Sequence, residues 1–525
     1  MTCMRCPDTP LPRRKLPIGV QTFAILREEG CYYVDKTPHI LRLIAEGKYY
    51  FLSRPRRFGK SLLIDTIAEL FEGNAALFTG LHAEQHWDWS ARSPVVRISF
   101  GAGVPHSRAD LDTRILSLLQ ENYDRHGLAQ PESKDVSGLF NHLLQQLHAQ
   151  TSQRVVVLVD EYDKPVLDNI TDADTARQMR DGLRNLYSVL KDADAHIRFA
   201  MLTGVSKFSK VSLLSGLNNF KDITLDSTYS DLCGYTDADL DTVFAPELAG
   251  LNREDIRRWY HGYHWTGESV YNPQSILLHL SNPAARASWF ETGTPSFLIE
   301  LVRQRGHWTP PLGQIEIPMA DEMDDDIGAL PLPVLLFETG YLTIDAQTPA
   351  SHANAHRLRY ANQNALGSLV GYFLNRLLPS AGDFYRASLG LLTPLQASEP
   401  QNLRSPIERV FSGLCVQWCR SKPMEPLDGY WNSLFHAMFA NLGLDCHVED
   451  AAKEGRIDMT VLFNGHIYLF EFKVVELVPE GRALAQIVER AYADKYRSRG
   501  EPIHLIGVEF SQQTRSVVGF EVQSL

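Results

Sequence analysis

The 525 residues are 44% hydrophobic with a formal net charge of -12 and seven cysteines, enough apolar material for two or three domains with their own cores. The acidic balance argues against a protein that coats nucleic acid through a generally basic surface, and the sparse cysteines argue against a disulfide framework. No uncharged apolar run approaches the roughly 20 residues that span a bilayer, and Arg13-Arg14-Lys15 is not followed by the apolar stretch of a secretory signal, so the expectation is a cytoplasmic protein with no membrane contact.

Residues 1–15 read as a Pro-rich, basic tail. Tyr49 to Leu52 predicts a short buried strand, which runs into an Arg/Pro/Gly loop; apolar positions 62, 63, 67, 70 and 71 then predict a helix over 62–71. Val95 to Phe100 and Val155 to Val159 are continuous apolar runs of the kind buried on both faces of a parallel sheet. Helical patterns lie at about 110–124, 137–149 and 174–191, and Arg198 to Gly204 predicts a further strand ending in a polar turn. Strands alternating with helices predict an α/β domain with a parallel sheet over 16–290. Residues 291–420, with an acidic run from Asp321 to Asp326, read as a helical connector or lid, and 421–525 as a final α/β domain.

The loop Arg54-Pro55-Arg56-Arg57-Phe58-Gly59-Lys60-Ser61 stands between the first strand and its helix, where backbone N–H groups converge on a helix N-terminus. Gly59, Lys60 and Ser61 supply the core of a phosphate loop: a lysine for the terminal phosphates and a hydroxyl for Mg²⁺. The general pattern would also place a glycine at 54, where this chain has Arg54. The apolar strand ending in Asp160-Glu161 puts one carboxylate where it can hold Mg²⁺ through water and another, Glu161, where it can act as general base. The two halves are expected on consecutive α/β units. Thr203, after the next strand, is a candidate sensor of the phosphate, or else part of an ordinary strand-ending turn. Arg54, Arg56 and Arg57 either neutralise phosphate charge, serve a neighbouring subunit of a homo-oligomer, or form a solvated basic loop.

These segments, with Leu16-Pro17-Ile18-Gly19, Tyr33-Val34-Asp35-Lys36-Thr37, Asp160-Glu161-Tyr162-Asp163-Lys164-Pro165, Trp259-Tyr260-His261-Gly262-Tyr263-His264, Tyr271-Asn272-Pro273 and Thr292 to Leu298, resemble the bacterial and archaeal AAA-ATPase-like family that carries a C-terminal PD-(D/E)XK nuclease-superfamily domain. The resemblance implies an AAA-like P-loop NTPase fold with ATP bound, and a restriction-endonuclease-like C-terminal domain. In that family the arginine-rich loop replaces the usual first glycine.

The C-terminal signal also follows from spacing. Ile457 to Phe463 and His466 to Val474 are β-rich runs flanking Asn464-Gly465, the strongest two-residue hairpin signal. If Phe463 pairs with His466, Asp458 falls opposite Glu471, and alternation puts Lys473 on the same face. Two carboxylates facing each other in a largely apolar ribbon are costly unless a divalent cation, Mg²⁺ or Mn²⁺, lies between them. The bland alternative is that Lys473 neutralises both acids in an inactive fold. Gln486 and Tyr492, expected on the next helix, resemble the Gln…Tyr element that some relatives place beside the metal, and Glu449 is a candidate for a further acidic ligand. Gly429-Tyr430-Trp431-Asn432 lacks the upstream glutamate that many relatives carry. From Ser421 onward there are 10 Lys/Arg against 15 Asp/Glu, so this domain is not basic either.

Cys3-x-x-Cys6 with Cys415-x-x-x-Cys419 would be a weak zinc candidate, and His261 with His264 reads as an aromatic corner rather than a metal pair. The expected function is ATP binding or hydrolysis coupled to Mg²⁺-dependent cleavage of nucleic acid, DNA foremost. The alternative is a nucleotide-switched module that binds nucleic acid or protein without cutting.

Overall fold

The computed structural model describes residues 13–206, 219–283, 298, 315–318, 331–346, 355–369, 389–409 and, with short gaps, 435–525. The chain divides into two compact units, one of Met1–Leu301 with Glu316–Asn362, the other of Val302–Ile315 with Gln363–Leu525.

The first unit is built on β1 (Tyr49–Ser53), β2 (Val95–Ser99), β3 (Val155–Asp160), β4 (Ile197–Gly204) and the short β5 (Lys221–Asp222), all parallel in the order β2-β3-β4-β1-β5. All residues of β1 and β3 are buried, because helices cover both faces of the sheet. Helix Lys60–Glu72 buries Leu63, Ile64, Ile67, Leu70 and Phe71. Helices Arg108–Arg125 and Ala173–Asp192 start at Ser107 and Asp172, whose side chains accept the first-turn N–H groups. Parallel strands gather the turns after β1, β3 and β4 at the C-terminal end of the sheet, where ligands of such folds bind.

The register there departs from the sequence reading in one respect. The phosphate-loop strand and the acidic strand are not neighbours: β2 intervenes in sequence and β4 in the sheet. Thr203 on β4 pairs with Leu52 on β1 and lies at the level of Asp160.

The stretch expected as a helical connector contributes strands as well. β6 (Ile315–Pro318), β7 (Leu342–Ile344) and β8 (Ala355–Tyr360) form a small sheet in the order β6-β8-β7. The reason is local, since Leu342-Thr343-Ile344 is a buried run with β-branched Thr343 and Ile344, too short for a helix. The acidic run 321–326, the four cysteines at 3, 6, 415 and 419, and residues 429–432 lie outside the described residues.

In the second unit β9 (Asp445–Ala452), β10 (Gly455–Phe463), β11 (His466–Val475), β12 (Ile503–Ser511) and β13 (Val517–Ser524) make a mixed sheet ordered β13-β12-β11-β10-β9. β11 and β12 are parallel, and helix Arg482–Glu489 lies in the crossover between them. That helix packs on the sheet face carrying Ile467 and Leu469, while Phe435, Phe439, Phe470 and Phe472 fill the other. Tyr492 is not on that helix: it ends at Glu489, and Ala491 at φ +49° turns the chain into a separate 3-10 turn, Tyr492–Lys495.

Candidate functional site

At the first unit's ligand edge, Gly59 takes φ +92° and the helix begins at Lys60, so the chain turns directly into a helix N-terminus. Arg57 also sits at positive φ, +68°. Lys60 is 6% exposed; its ammonium donates to the Arg54 and Pro55 carbonyls at 2.8 and 2.9 Å. Burial presses its pKa down, opposed by Asp160 and Glu161.

Asp160 gathers three donors. Ser61 Oγ donates to Oδ2 at 2.6 Å, while Thr203 Oγ1 and the Glu161 N–H donate to Oδ1 at 2.7 and 3.1 Å. Ser61, from the helix after β1, and Thr203, from β4, thus meet one carboxylate at the end of β3. Glu161, at φ +53°, points its carboxylate toward Gly101, where an added methyl would come within 3.5 Å of it. Gly59, Lys60, Ser61, Arg57 and Glu161 line a cavity of about 360 Å³. Val34, Leu232 and Leu277 are among its apolar lining residues. A buried lysine, a hydroxyl and an acid in the wall of a partly apolar cavity fit a nucleoside triphosphate with Mg²⁺.

Three residues here were not legible as site residues. Asp163, 1% exposed, accepts the Val205 and Ser206 N–H groups at 3.1 and 2.6 Å and so ties the turn after β3 to the turn after β4. Burial raises its carboxyl to about 7. Leu232 and Leu277 come from distant segments with no motif. The expectations for Arg54, that it neutralises phosphate charge, serves a neighbouring subunit or is solvated, are not met: it is 1% exposed and absent from the cavity wall, whereas Arg56 and Arg57 line it.

In the second unit the hairpin pairs Phe463 with His466 and Met459 with Phe470, the register the Asn-Gly turn predicts. The ladder stops before Asp458. In its place, Phe472 N–H donates to Asp458 Oδ2 at 2.8 Å, and Asp458 N–H to Glu471 Oε2 at 3.4 Å. The two acids therefore replace one rung with side-chain acceptors. Glu471 is 1% exposed; its Oε1 accepts from Gln486 and faces Lys473 Nζ at 3.2 Å. Burial and the Asp458 charge push Glu471 up to about 7, against the pull of Lys473. The β9–β10 register puts the Glu449 backbone across from Asp458, between Asp450↔Ile457 and Val448↔Met459. Tyr492 stands beside Gly455, where an added methyl would lie 3.0 Å from its hydroxyl.

The supporting helix is fixed by two residues of β12. Glu509, 2% exposed, accepts the N–H groups of Glu480, Gly481, Arg482 and Ala483, capping the helix start. At Gly507 a methyl would come 2.3 Å from Leu484 N, so only glycine lets the helix approach this closely. Gln486 reaches Glu471 from that helix. Among the described residues no group of three His, Cys, Asp or Glu stands ready as a metal cage. The buried, mutually repelling Asp458 and Glu471 nonetheless fit a hard divalent cation. His261 bonds the Ser269 carbonyl and packs on Tyr271, and His264 meets Ser269 Oγ, so both serve the aromatic corner.

Comparison with known proteins agrees with the two halves. Residues 17–214 match the model of a predicted AAA-ATPase family, and residues 427–520 match the PD-(D/E)XK nuclease superfamily. An uncharacterized protein in the vnfD 5' region of Azotobacter chroococcum mcd 1 is 54% identical over 516 residues, 98% of this chain and all of that one. The Aeropyrum pernix ORC2 protein, solved as ADPNP–ADP complexes, aligns over 78% of this chain and 85% of its own at 13% identity and a TM-score of 0.30. Among the described residues no helix is long and apolar enough to cross a membrane.

Proposed function

Because this chain belongs to the predicted AAA-ATPases and carries a domain of the PD-(D/E)XK nuclease superfamily, we propose that it binds ATP in the first unit and uses the nucleotide to govern phosphodiester cleavage of nucleic acid, DNA foremost, in the second, within the cytoplasm. In the first unit Lys60 faces the terminal phosphates, Gly59 and the helix start present N–H groups to them, and Arg57 adds positive charge at the rim. Ser61 and Asp160 would hold Mg²⁺, Thr203 reports on the phosphate through Asp160, and Glu161 takes a proton from an attacking water.

In the second unit Asp458 and Glu471 would hold a second Mg²⁺, which when bound supplies charge neutralisation and a more acidic water. Lys473 orients the nucleophile or offsets charge developing on the phosphate. Gln486 keeps Glu471 in place. The observation that carries this reading is Glu471: a carboxylate buried beside another acid, with Lys473 alternating onto the same face.

A second reading has its own support. Every described bond of the two acids is met within the chain, by Phe472, Asp458, Gln486 and Lys473, and the segment from Ser421 onward carries more acids than bases. A nucleotide-switched module that binds without cutting would look the same.

The discriminating experiment incubates the full chain with single- and double-stranded DNA and RNA, with Mg²⁺ or Mn²⁺, with and without ATP. Cleavage lost in Asp458→Ala while nucleotide binding persists is the expected result. No cleavage of any substrate, with nucleic-acid binding retained, would favour the second reading.

A further inference from the structure

In the general phosphate loop the first position is glycine, free of side-chain constraint. Here that position is Arg54, and its side chain goes inward rather than toward the cavity. Nη1 donates to the Ser53 and Thr224 carbonyls, both at 2.8 Å, and Nη2 to the Tyr229 carbonyl at 3.2 Å. The guanidinium lies 4.3 Å from the centre of the Trp265 ring. Among the described residues it has no carboxylate at ion-pair distance; carbonyl dipoles and a π face carry its charge.

The rest of the loop is clamped by the same neighbours. Phe58 meets Tyr263 and Trp265 edge-on, at 4.9 and 5.2 Å between ring centres. Pro55 presses on Gly340, where a methyl would lie 2.8 Å from its Cβ. Ser53 N–H donates to Thr224 Oγ1 at 3.0 Å. So the loop between β1 and its helix is held at both ends, by Arg54 and by Phe58, against one aromatic wall of Tyr263 and Trp265. The two carbonyls that position Lys60 belong to Arg54 and Pro55, inside this clamp.

We propose that Arg54 is a positioning residue for nucleotide binding: stacked on Trp265, it replaces the missing glycine with a rigid brace that presets the loop backbone and, through the Arg54 and Pro55 carbonyls, the place of Lys60. The proposal rests on the reading of this loop as a nucleotide site. It reverses the expectation from the general motif, in which glycine at 54 would be an improvement. The desolvated cation–π contact and the charge-assisted hydrogen bonds to carbonyls act on the loop and not on the strands below it. Losing them should release the loop more than it unfolds the sheet beneath.

The test uses the full chain with Arg54→Gly, Trp265→Phe and Trp265→Leu. ATP binding is titrated, and amide hydrogen exchange of the 54–61 segment is followed without nucleotide. Arg54→Gly is expected to weaken ATP binding about tenfold or more and to speed exchange in the loop, with the exchange of β3 unchanged. Trp265→Phe, which keeps an aromatic face under the guanidinium, should stay within about threefold of the natural chain, and Trp265→Leu should move toward the glycine variant. If Arg54→Gly does not fold, the Trp265 pair decides.

Glycine and leucine variants that bind ATP as the natural chain does, with unchanged loop exchange, overturn the brace. If the natural chain takes up no nucleotide, the nucleotide reading fails. The exchange comparison then decides the brace by itself, and unchanged loop exchange sinks it.

Discussion

On the proposed reading, the second unit's chemistry turns on Glu471. Its carboxyl is raised above the ordinary glutamate range to about 7 by burial and by Asp458. The folded chain thus holds this proton more tightly than the unfolded chain. The associated stability is present at acid pH and is lost as pH rises through about 7. In metal-free buffer, Glu471→Gln should therefore destabilise little at pH 5 and stabilise the second unit at pH 8. Urea unfolding at the two pH values reads the difference, and a variant less stable than the natural chain at pH 8 contradicts it. Divalent cation and proton also compete for this carboxylate, so Mn²⁺ affinity should fall by up to about tenfold per pH unit below 7.

At the scale of elements, the helix Arg482–Glu489 acts as the back wall of that site. Its start is capped by Glu509 and its distance from the sheet is set by Gly507. Gly507→Ala would drive a methyl into the Leu484 backbone, and the helix, not the central β12, is the part able to give way. Overpacking of this kind costs about 1–3 kcal/mol. The expected outcome is a destabilised second unit and weaker Mn²⁺ binding, since Gln486 moves with the helix. A variant destabilised by that amount but binding Mn²⁺ unchanged would show that Gln486 does not tune the acid.

For the whole molecule, the proposed placing of two sites of different chemistry on two units predicts separable responses. ATP with Mg²⁺ should raise the unfolding temperature of the first unit, by about 2.7 kcal/mol of added stability at a hundredfold excess over Kd. Lys60→Ala should abolish the shift while leaving Mn²⁺ binding at Asp458 and Glu471 intact. Calorimetry of the full chain with each ligand alone checks both; a Lys60→Ala chain that still shifts with ATP removes this lysine from the site. The excess of acids over bases further predicts that nucleic acid, if bound as proposed, is held by few phosphate contacts, with a shallow salt dependence.

Much of this was readable from the linear chain because it is local. The parallel sheet follows from continuous apolar runs, and the β10–β11 register from Asn464-Gly465 with strict alternation, which brings Asp458, Glu471 and Lys473 to one place. Gly59-Lys60-Ser61 at a strand-to-helix turn is likewise a short-range pattern. Tertiary structure decided what distance in sequence hides. Ser61 and Thr203 meet at Asp160 only because strand order sets β4 between β1 and β3. Arg54 is buried because Thr224, Tyr229 and Trp265, some 170 or more positions away, supply the carbonyls and the ring that make burial of its charge tolerable. A side chain's type and spacing fix what it can do; whether a charge faces solvent, a ligand or a π face depends on which remote segments fold against it, and no local pattern encodes that.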